Sequence, residues 1–395
     1  MLSQCQYDKP TSHVSTTFVK QTIFKIGSGR KVFAPSLKIL DLHLRPDNDA
    51  VFPALVGAYG SVRRIQLKLD GRLVDIWDAQ NILPLLIANS GDNEKQRGLN
   101  KILYGTGNNV IYNLAGNNLK LDKVGIKKDS STPVQLKLPV FLDLLNNIGI
   151  IESGIEIIID WQTSARAVFN PVNTTNALTD YSIDAPYLSY ETMNGDFKQA
   201  NNVPYRMWVQ EQLNVPAIAT DNTLQRYEMR SNAFNNKSIG RIVLVNQPAN
   251  FGNVGDLTNV YKTFNTFCSI PMKQEVYNVA KDGKLIFSLR NVNNDGAKLA
   301  STVDAWGPGV FVSGGHMHLK KPVLDELQAD SDIRLNGFCS YGSVEINDHV
   351  KKELQISYMR QSDDNTAYPS LGSQLTINAI AEVHCMLVNG QKVYL

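Results

Sequence analysis

Apolar residues recur along this chain with a period of two rather than 3.6, the signature of half-buried strands. In Gly154–Trp161, residues Ile155, Ile157, Ile159 and Trp161 fall on one face, and Glu156, Ile158 and Asp160 on the other. Ser61–Leu69 alternates in the same way, Ile65, Leu67 and Leu69 against Gln66 and Lys68. The pattern predicts further strands at Thr16–Ile26, Leu37–Leu44, Val134–Leu138, Met207–Val215, Arg241–Val245, Leu285–Leu289, Ser343–Ile346, Leu354–Met359 and Leu375–Val388. Asp70-Gly71, Asp282-Gly283 and Asn389-Gly390 lie between alternating segments. Such dipeptides favour tight hairpins with primed turns, which need positive φ. Helical patterning is scarce. Its candidates are Asp92–Tyr104 with Gly105 as a stop, Ala79–Ala88 interrupted by Pro84, and Lys321–Ala329 with Pro322 in its first turn.

Many short strands, few helices and no βαβ alternation predict an all-β protein built from antiparallel sandwiches. The chain has 395 residues, too many for one sandwich, so two are expected. The hairpin Leu67–Val74 recurs in kind at Asn278–Ile286, about half the chain away. A second echo sets Val134–Leu138 then Gly154–Trp161 against Leu354–Met359 then Leu375–Val388. The turn-rich stretch Ala165–Asn202, with no clean period, is where the boundary should fall. The expected organisation is an N-terminal arm at 1–15, a first sandwich at 16–190 and a second at 191–395.

Composition narrows the function. Hydrophobic residues are 43 % and charged residues 19 %, a globular balance. The net charge of +2 is spread over both halves, which leaves no basic footprint for nucleic acid. No run approaches 18 apolar residues, so a spanning helix is not expected. The N-terminus lacks a basic region followed by an apolar core, so no secretory signal is read there, and neither sequon, Asn173 or Asn236, is expected to be glycosylated. Cys5, Cys268, Cys339 and Cys385 are far apart and form no CxxC pair, which argues against a disulfide scaffold or a metal cluster.

Several patterns in the chain bear on chemistry. His316-Met317-His318 would place two imidazoles about 7 Å apart on one strand face. The Glu that a cupin metal pair needs does not follow; the next carboxylate is Asp325, and His349 and His384 could in principle complete a site. Glu156 and Asp160, four residues apart on a strand, are separated by about 13 Å. Glycosidase carboxylates stand about 5–5.5 Å or 6.5–9.5 Å apart, so these two are solvated strand charges. Gly27-Ser28-Gly29-Arg30-Lys31 lacks the P-loop spacing and reads as a hairpin turn. Arg63-Arg64 reads as part of a rim salt bridge. Trp77, Trp161, Trp208 and Trp306 could stack sugars, but core or interface packing is the better reading. No residue is assigned as catalytic, cofactor-binding or metal-ligating, and no enzyme activity is expected.

Three segments, in order, carry a resemblance. Phe52–Gly71, a loop leading into an alternating strand closed by a Gly turn, is similar to a segment of double jelly-roll major capsid proteins. The run Val134-Gln135-Leu136-Lys137-Leu138-Pro139-Val140-Phe141, then Gly154–Trp161, resembles that family's strand ending in Leu-Pro-aromatic, short helix and Ile/Val strand. Ala381–Gly390 resembles the closing strand and hairpin of such proteins in the adenovirus, polinton-like virus and virophage lineage. The resemblance implies two consecutive eight-stranded jelly rolls with short loop helices. It implies a homotrimeric, pseudo-hexagonal capsomer that tiles the icosahedral shell of a double-stranded DNA virus. The implied partners are neighbouring capsomers and penton and minor capsid proteins; the arm Met1–Val14 would tie neighbours together, touch an inner membrane or a minor protein, or simply be a frayed terminus. No sequence-specific nucleic-acid binding is implied. Near-zero net charge suits many copies packed edge to edge, and one repeated contact suffices for closed symmetry. The rival readings are a carbohydrate-binding tandem sandwich of the attachment type, motivated by the tryptophans and Asn-rich loops, and a cupin-type metal enzyme resting on the histidine pair alone.

Overall fold

The computed structural model describes residues 3–47, 50–51, 57–78, 113–115, 118–120, 125–126, 133–162, 180–215, 225–248, 272–292, 311–313, 340–362 and 375–395. The three helix candidates of the sequence lie outside these residues. Two compact units are present. Unit 1 is Met1–Trp208, Val254–Leu257 and His384–Leu395; unit 2 is Val209–Asn253 and Thr258–Val383.

Unit 1 contains β1 (Ser3–Asp8), β2 (Ser12–Ser15), β3 (Lys20–Ile26), β4 (Val32–Leu42), β5 (Leu44–Pro46), β6 (Ala50–Val51), β7 (Val62–Leu69) and β8 (Arg72–Trp77). It continues with β9 (Asn113–Ala115), β10 (Asn118–Lys120), β11 (Gly125–Ile126), β12 (Val134–Lys137), β13 (Ile150–Ile151), β14 (Ile155–Trp161), β15 (Tyr181–Ile183) and β16 (Tyr187–Met193). The unit division falls within β17 (Asn202–Val215). Unit 2 then holds β18 (Gln225–Ser231), β19 (Lys237–Pro248), β20 (Met272–Lys281), β21 (Lys284–Val292), β22 (Phe311–Ser313), β23 (Ser340–Val350) and β24 (Leu354–Ser362). The division falls again within β25 (Leu375–Val388), so that β26 (Gln391–Tyr394) belongs to unit 1.

The sheets repeat. The first has the order β1-β16-β4-β12, with β13 also on β4, and the second β2-β3-β14-β7-β8. Later in the chain the orders are β17-β25-β19-β23-β22, with β26 on β25, and β18-β24-β20-β21. When the eight principal strands of each half are numbered along the chain, both halves read 1-8-3-6 in one sheet and 2-7-4-5 in the other. The Leu67–Val74 echo is therefore structural: β7–β8 and β20–β21 occupy the same places. The second echo needs correction. Within its sheet Ile155–Trp161 corresponds to Leu354–Ser362, not to Leu375–Val388, and β12 with β13 corresponds to β23. In the first half that strand is interrupted by a 3-10 turn at Leu138–Val140 and a one-turn helix at Leu144–Asn147; in the second it runs unbroken.

Alternation explains the local structure. Along Ile155–Trp161 buried and half-buried residues strictly alternate, because one face looks into the sandwich and the other carries the polar residues. The three dipeptide turns have the positive φ that primed hairpins demand: Asp70 +47° and Gly71 +79°, Asp282 +51° and Gly283 +81°, Asn389 +48° and Gly390 +75°. Pro35 sits inside β4, where it offers no N–H to the ladder. The pairing with β16 shifts register between Ser189 and Glu191, and the Glu191 N–H donates instead to Ser36 Oγ at 2.8 Å. The segment expected as an arm, 1–15, holds β1 and β2. Polar Ser3–Asp8 pairs with Tyr187–Met193 along its length, as the first strand of the first sheet.

Candidate functional site

Glu156 and Asp160 share a face of β14 and serve different neighbours. Glu156 stands 3.6 Å from Lys25 on one side and 3.7 Å from Lys68 on the other. Asp160 accepts from Gln21 Nε2 at 2.7 Å. They are cross-strand charges, of the kind that pin neighbours rather than cleave bonds. Arg64 makes the expected rim pair, with Nε and Nη2 at 3.0 and 2.7 Å from Asp78 Oδ2.

Gly27–Lys31 is not a hairpin turn. It joins β3 in one sheet to β4 in the other, so its flanking strands do not pair. It borders a surface depression of about 510 Å³ with Gln6, Thr192, Asn194 and Gly195. Both cations there are engaged by protein oxygens. Arg30 Nη1 donates to Tyr190 Oη at 2.7 Å, and Lys31 Nζ to the Gly195 carbonyl at 2.5 Å. The Tyr190 hydroxyl in turn donates to Asp8 Oδ2 at 2.7 Å, which ties β1 to the β3–β4 connection. Burial pushes the Tyr190 phenol up to about 12.

Three of the four tryptophans are core residues. Trp77 is 1 % exposed and meets Phe141 edge-on at 5.9 Å. Trp161 donates Nε1–H to Thr22 Oγ1 at 2.9 Å, and Trp208 is buried. Trp306, His316, His318, Asp325, Cys268, Cys339 and Asn173 lie outside the described residues. His349 is exposed on β23 and His384 is half-buried on β25. Among the described residues no three His, Cys, Asp or Glu side chains are grouped as metal ligands would be. Nor is any helix among them long and apolar enough to cross a membrane.

Sequence reasoning missed two buried polar clusters of unit 1. Lys20, its side chain 5 % exposed, donates to Asp180 Oδ1 at 2.8 Å and lies 5.0 Å from the Tyr181 ring centre. Burial pushes the Asp180 carboxyl up, but hydrogen bonds from Lys20, Thr17 and the Tyr181 N–H outweigh it and hold the group below its ordinary value. Asp75 is 1 % exposed on β8. It accepts the N–H of Ile76 at 2.8 Å and of Leu144 at 3.2 Å. The sequence signal was an acid at an inward position of a strand, two residues before Trp77. The surface, meanwhile, carries apolar side chains at Phe18 (95 % exposed), Tyr7, Leu285 and Val19.

What the chain is built like decides how these features are read. No family model and no curated protein matches the sequence. The fold, however, matches solved structures over its whole length. Against PBCV-1 VP54, fitted into a reconstruction of the virophage Sputnik, the TM-score is 0.58 at 9 % identity, covering 100 % of this chain and 96 % of that one. A chain of the Sputnik virophage structure gives 0.58 at 10 %, covering 99 % and 88 %. The mavirus major capsid protein gives 0.53 at 9 %, covering 98 % and 90 %. The fold is a double jelly roll. That name accounts for the 1-8-3-6 and 2-7-4-5 strand orders appearing twice. It also places β1 as the first strand of the first jelly roll.

Proposed function

We propose that this chain is a viral major capsid protein, a structural protein that self-assembles through its double jelly roll. The observation that carries the reading is a whole-length match to the mavirus major capsid protein and to VP54 of PBCV-1, on a chain whose two halves share one strand order. In this reading three copies form a pseudo-hexagonal capsomer, capsomers tile an icosahedral shell in the virion, and penton and minor proteins complete it. The two jelly rolls act as repeated domains joined within the stretch 165–202, after β16, and the chain performs no catalysis. Burial of Trp77, Trp161 and Trp208 removes most of the motive for a sugar-binding sandwich.

Light scattering coupled to size exclusion tests it. A species of three times 43.9 kDa that persists on dilution, with a pseudo-hexagonal outline in electron micrographs, is expected. A monomer at micromolar concentration that forms no larger species with its co-expressed virion proteins overturns the reading.

A further inference from the structure

Asp75 is a carboxyl group without a counter-ion in contact. Among the described residues no lysine or arginine makes an ion pair with it, and its two partners are backbone N–H groups. The described elements around it are these. On β7, Leu67 is its cross-strand partner. The helix Leu144–Asn147 offers the Leu144 N–H, and Asp143, at that helix's N-cap, is paired with Arg206 at 3.5 Å. On β17, Tyr205 donates its hydroxyl to the Val74 carbonyl. The charges of Lys392 on β26 and Asp143 reach Asp75. Tyr205 is itself an electrostatic neighbour of Asp75, and Cys385 and Tyr394 act on Tyr205 in turn. Lys392 Nζ itself is held 3.8 Å from Met207 Sδ and 5.1 Å from the Tyr394 ring centre. Two residues along β8, the buried Trp77 Nε1–H has no hydrogen-bond partner among the described residues.

A buried carboxylate needs a paired cation or several donors to remain charged. Asp75 has two neutral donors, one of them long. The uncharged acid is the form this site suits. Among the described residues β26 pairs with β25 and packs against β8. We propose that Asp75 is a proton-operated latch on the seam where β26 packs against β8 and the Leu144 N–H reaches the carboxyl. Protonated, the seam stays shut. Ionised, the buried carboxylate draws water into the seam, and β26 loosens from β8.

The electrostatics agree. Burial pushes the Asp75 carboxyl up to about 7, with the N–H groups of Leu144 and Ile76 opposing, Asp143 adding to the rise and Lys392 opposing it. The native value lies above the unfolded one, so the folded unit holds a proton that the unfolded chain has released. That contribution to stability is full below the unfolded value of 3.8 and is lost as pH rises through about 7. Acid tightens the seam, and mildly alkaline conditions open it.

Amide hydrogen exchange of the full chain between pH 5.5 and 8.5, corrected for intrinsic exchange, tests the latch. Amides of Arg72–Trp77 and Gln391–Tyr394 should lose at least tenfold in protection over this range in the wild type. They should lose far less in Asp75→Asn, which cannot ionise. His384→Gln, which removes the imidazole beside β26, should retain the full dependence. A flat wild-type profile, an unchanged dependence in Asp75→Asn, or its abolition by His384→Gln overturns the proposal. Should Asp75→Asn not fold, carboxyl ¹³C resonances of aspartate-labelled wild type decide: a midpoint for Asp75 below pH 5 overturns the latch, and one near neutrality supports it.

Discussion

Asp70 donates its backbone N–H to the carbonyl of Gly154 at 2.8 Å and accepts the Gly154 N–H on its own carboxylate at 2.7 Å. Asp282 and Glu353 repeat the arrangement in unit 2, at 3.0 and 3.2 Å. In each half a turn aspartate thus fastens a hairpin to the start of the sheet's next strand. A Cβ on Gly154 would stand 3.3 Å from Asp70 Oδ1, so the glycine admits the shorter bond. Asp282 compensates by accepting from Lys351 and Lys352 as well, at 3.2 and 2.7 Å.

Removing the first clasp should be felt. Asp70→Ala loses a charge-assisted hydrogen bond and places alanine at φ +47°. We expect a loss of about 1–3 kcal/mol, read as a lower denaturant midpoint with an unchanged m-value. Asp70→Asn, which tolerates positive φ and keeps an acceptor, should recover most of it.

The second clasp makes a pH prediction. The Lys352 N–H foremost, then those of Lys351 and Glu353, hold the Asp282 carboxyl below its ordinary value. Its contribution is therefore present above the unfolded value of 3.8 and is lost as pH falls through the native one. Acid titration of unit 2 unfolding should show a loss below pH 4 in the wild type that is smaller in Asp282→Asn. Equal acid sensitivity would contradict the clasp.

Lys20 and Asp180 form a half-sheltered pair. Lys20→Ala leaves Asp180, its side chain 27 % exposed, without its cation. A loss of about 2 kcal/mol is expected, less than the 3–5 of a fully buried pair because water still reaches the acid. Lys20→Met, which keeps the stem, should cost less than Lys20→Ala in the same urea titration.

Trp161 separates the packing and sugar-binding readings. Trp161→Phe preserves most of the buried area and loses the bond to Thr22 Oγ1, for about 1–2 kcal/mol. Trp161→Ala should cost about 3–5 kcal/mol. Both are measured on the isolated chain with no glycan present.

The sequence made some elements plain and hid others, for physical reasons. Ile155–Trp161 was legible because one of its faces is core, and the Asp-Gly turns because few residues accept positive φ. Ser3–Asp8 was not, since its strand form comes from pairing with β16 and its side chains are mostly exposed. In Tyr187–Met193, Leu188, Ser189 and Tyr190 are buried consecutively at a register shift, which erases the period of two. The second echo slipped by one strand because alternation is common to every half-buried strand and does not say which strands are sheet neighbours. Asp75 broke the binary pattern of its strand, yet only burial reveals what that means.

The membership of unit 1 also has a temporal side. Its twelve residues His384–Leu395 follow 175 residues that belong almost entirely to unit 2. At about 5–20 residues per second, a nascent chain waits on the order of 10–35 s between making Trp208 and making His384. During that interval the surface of Arg72–Trp77 that β26 will cover has no lid. Unit 1 is therefore completed last, when translation delivers β26 to β8.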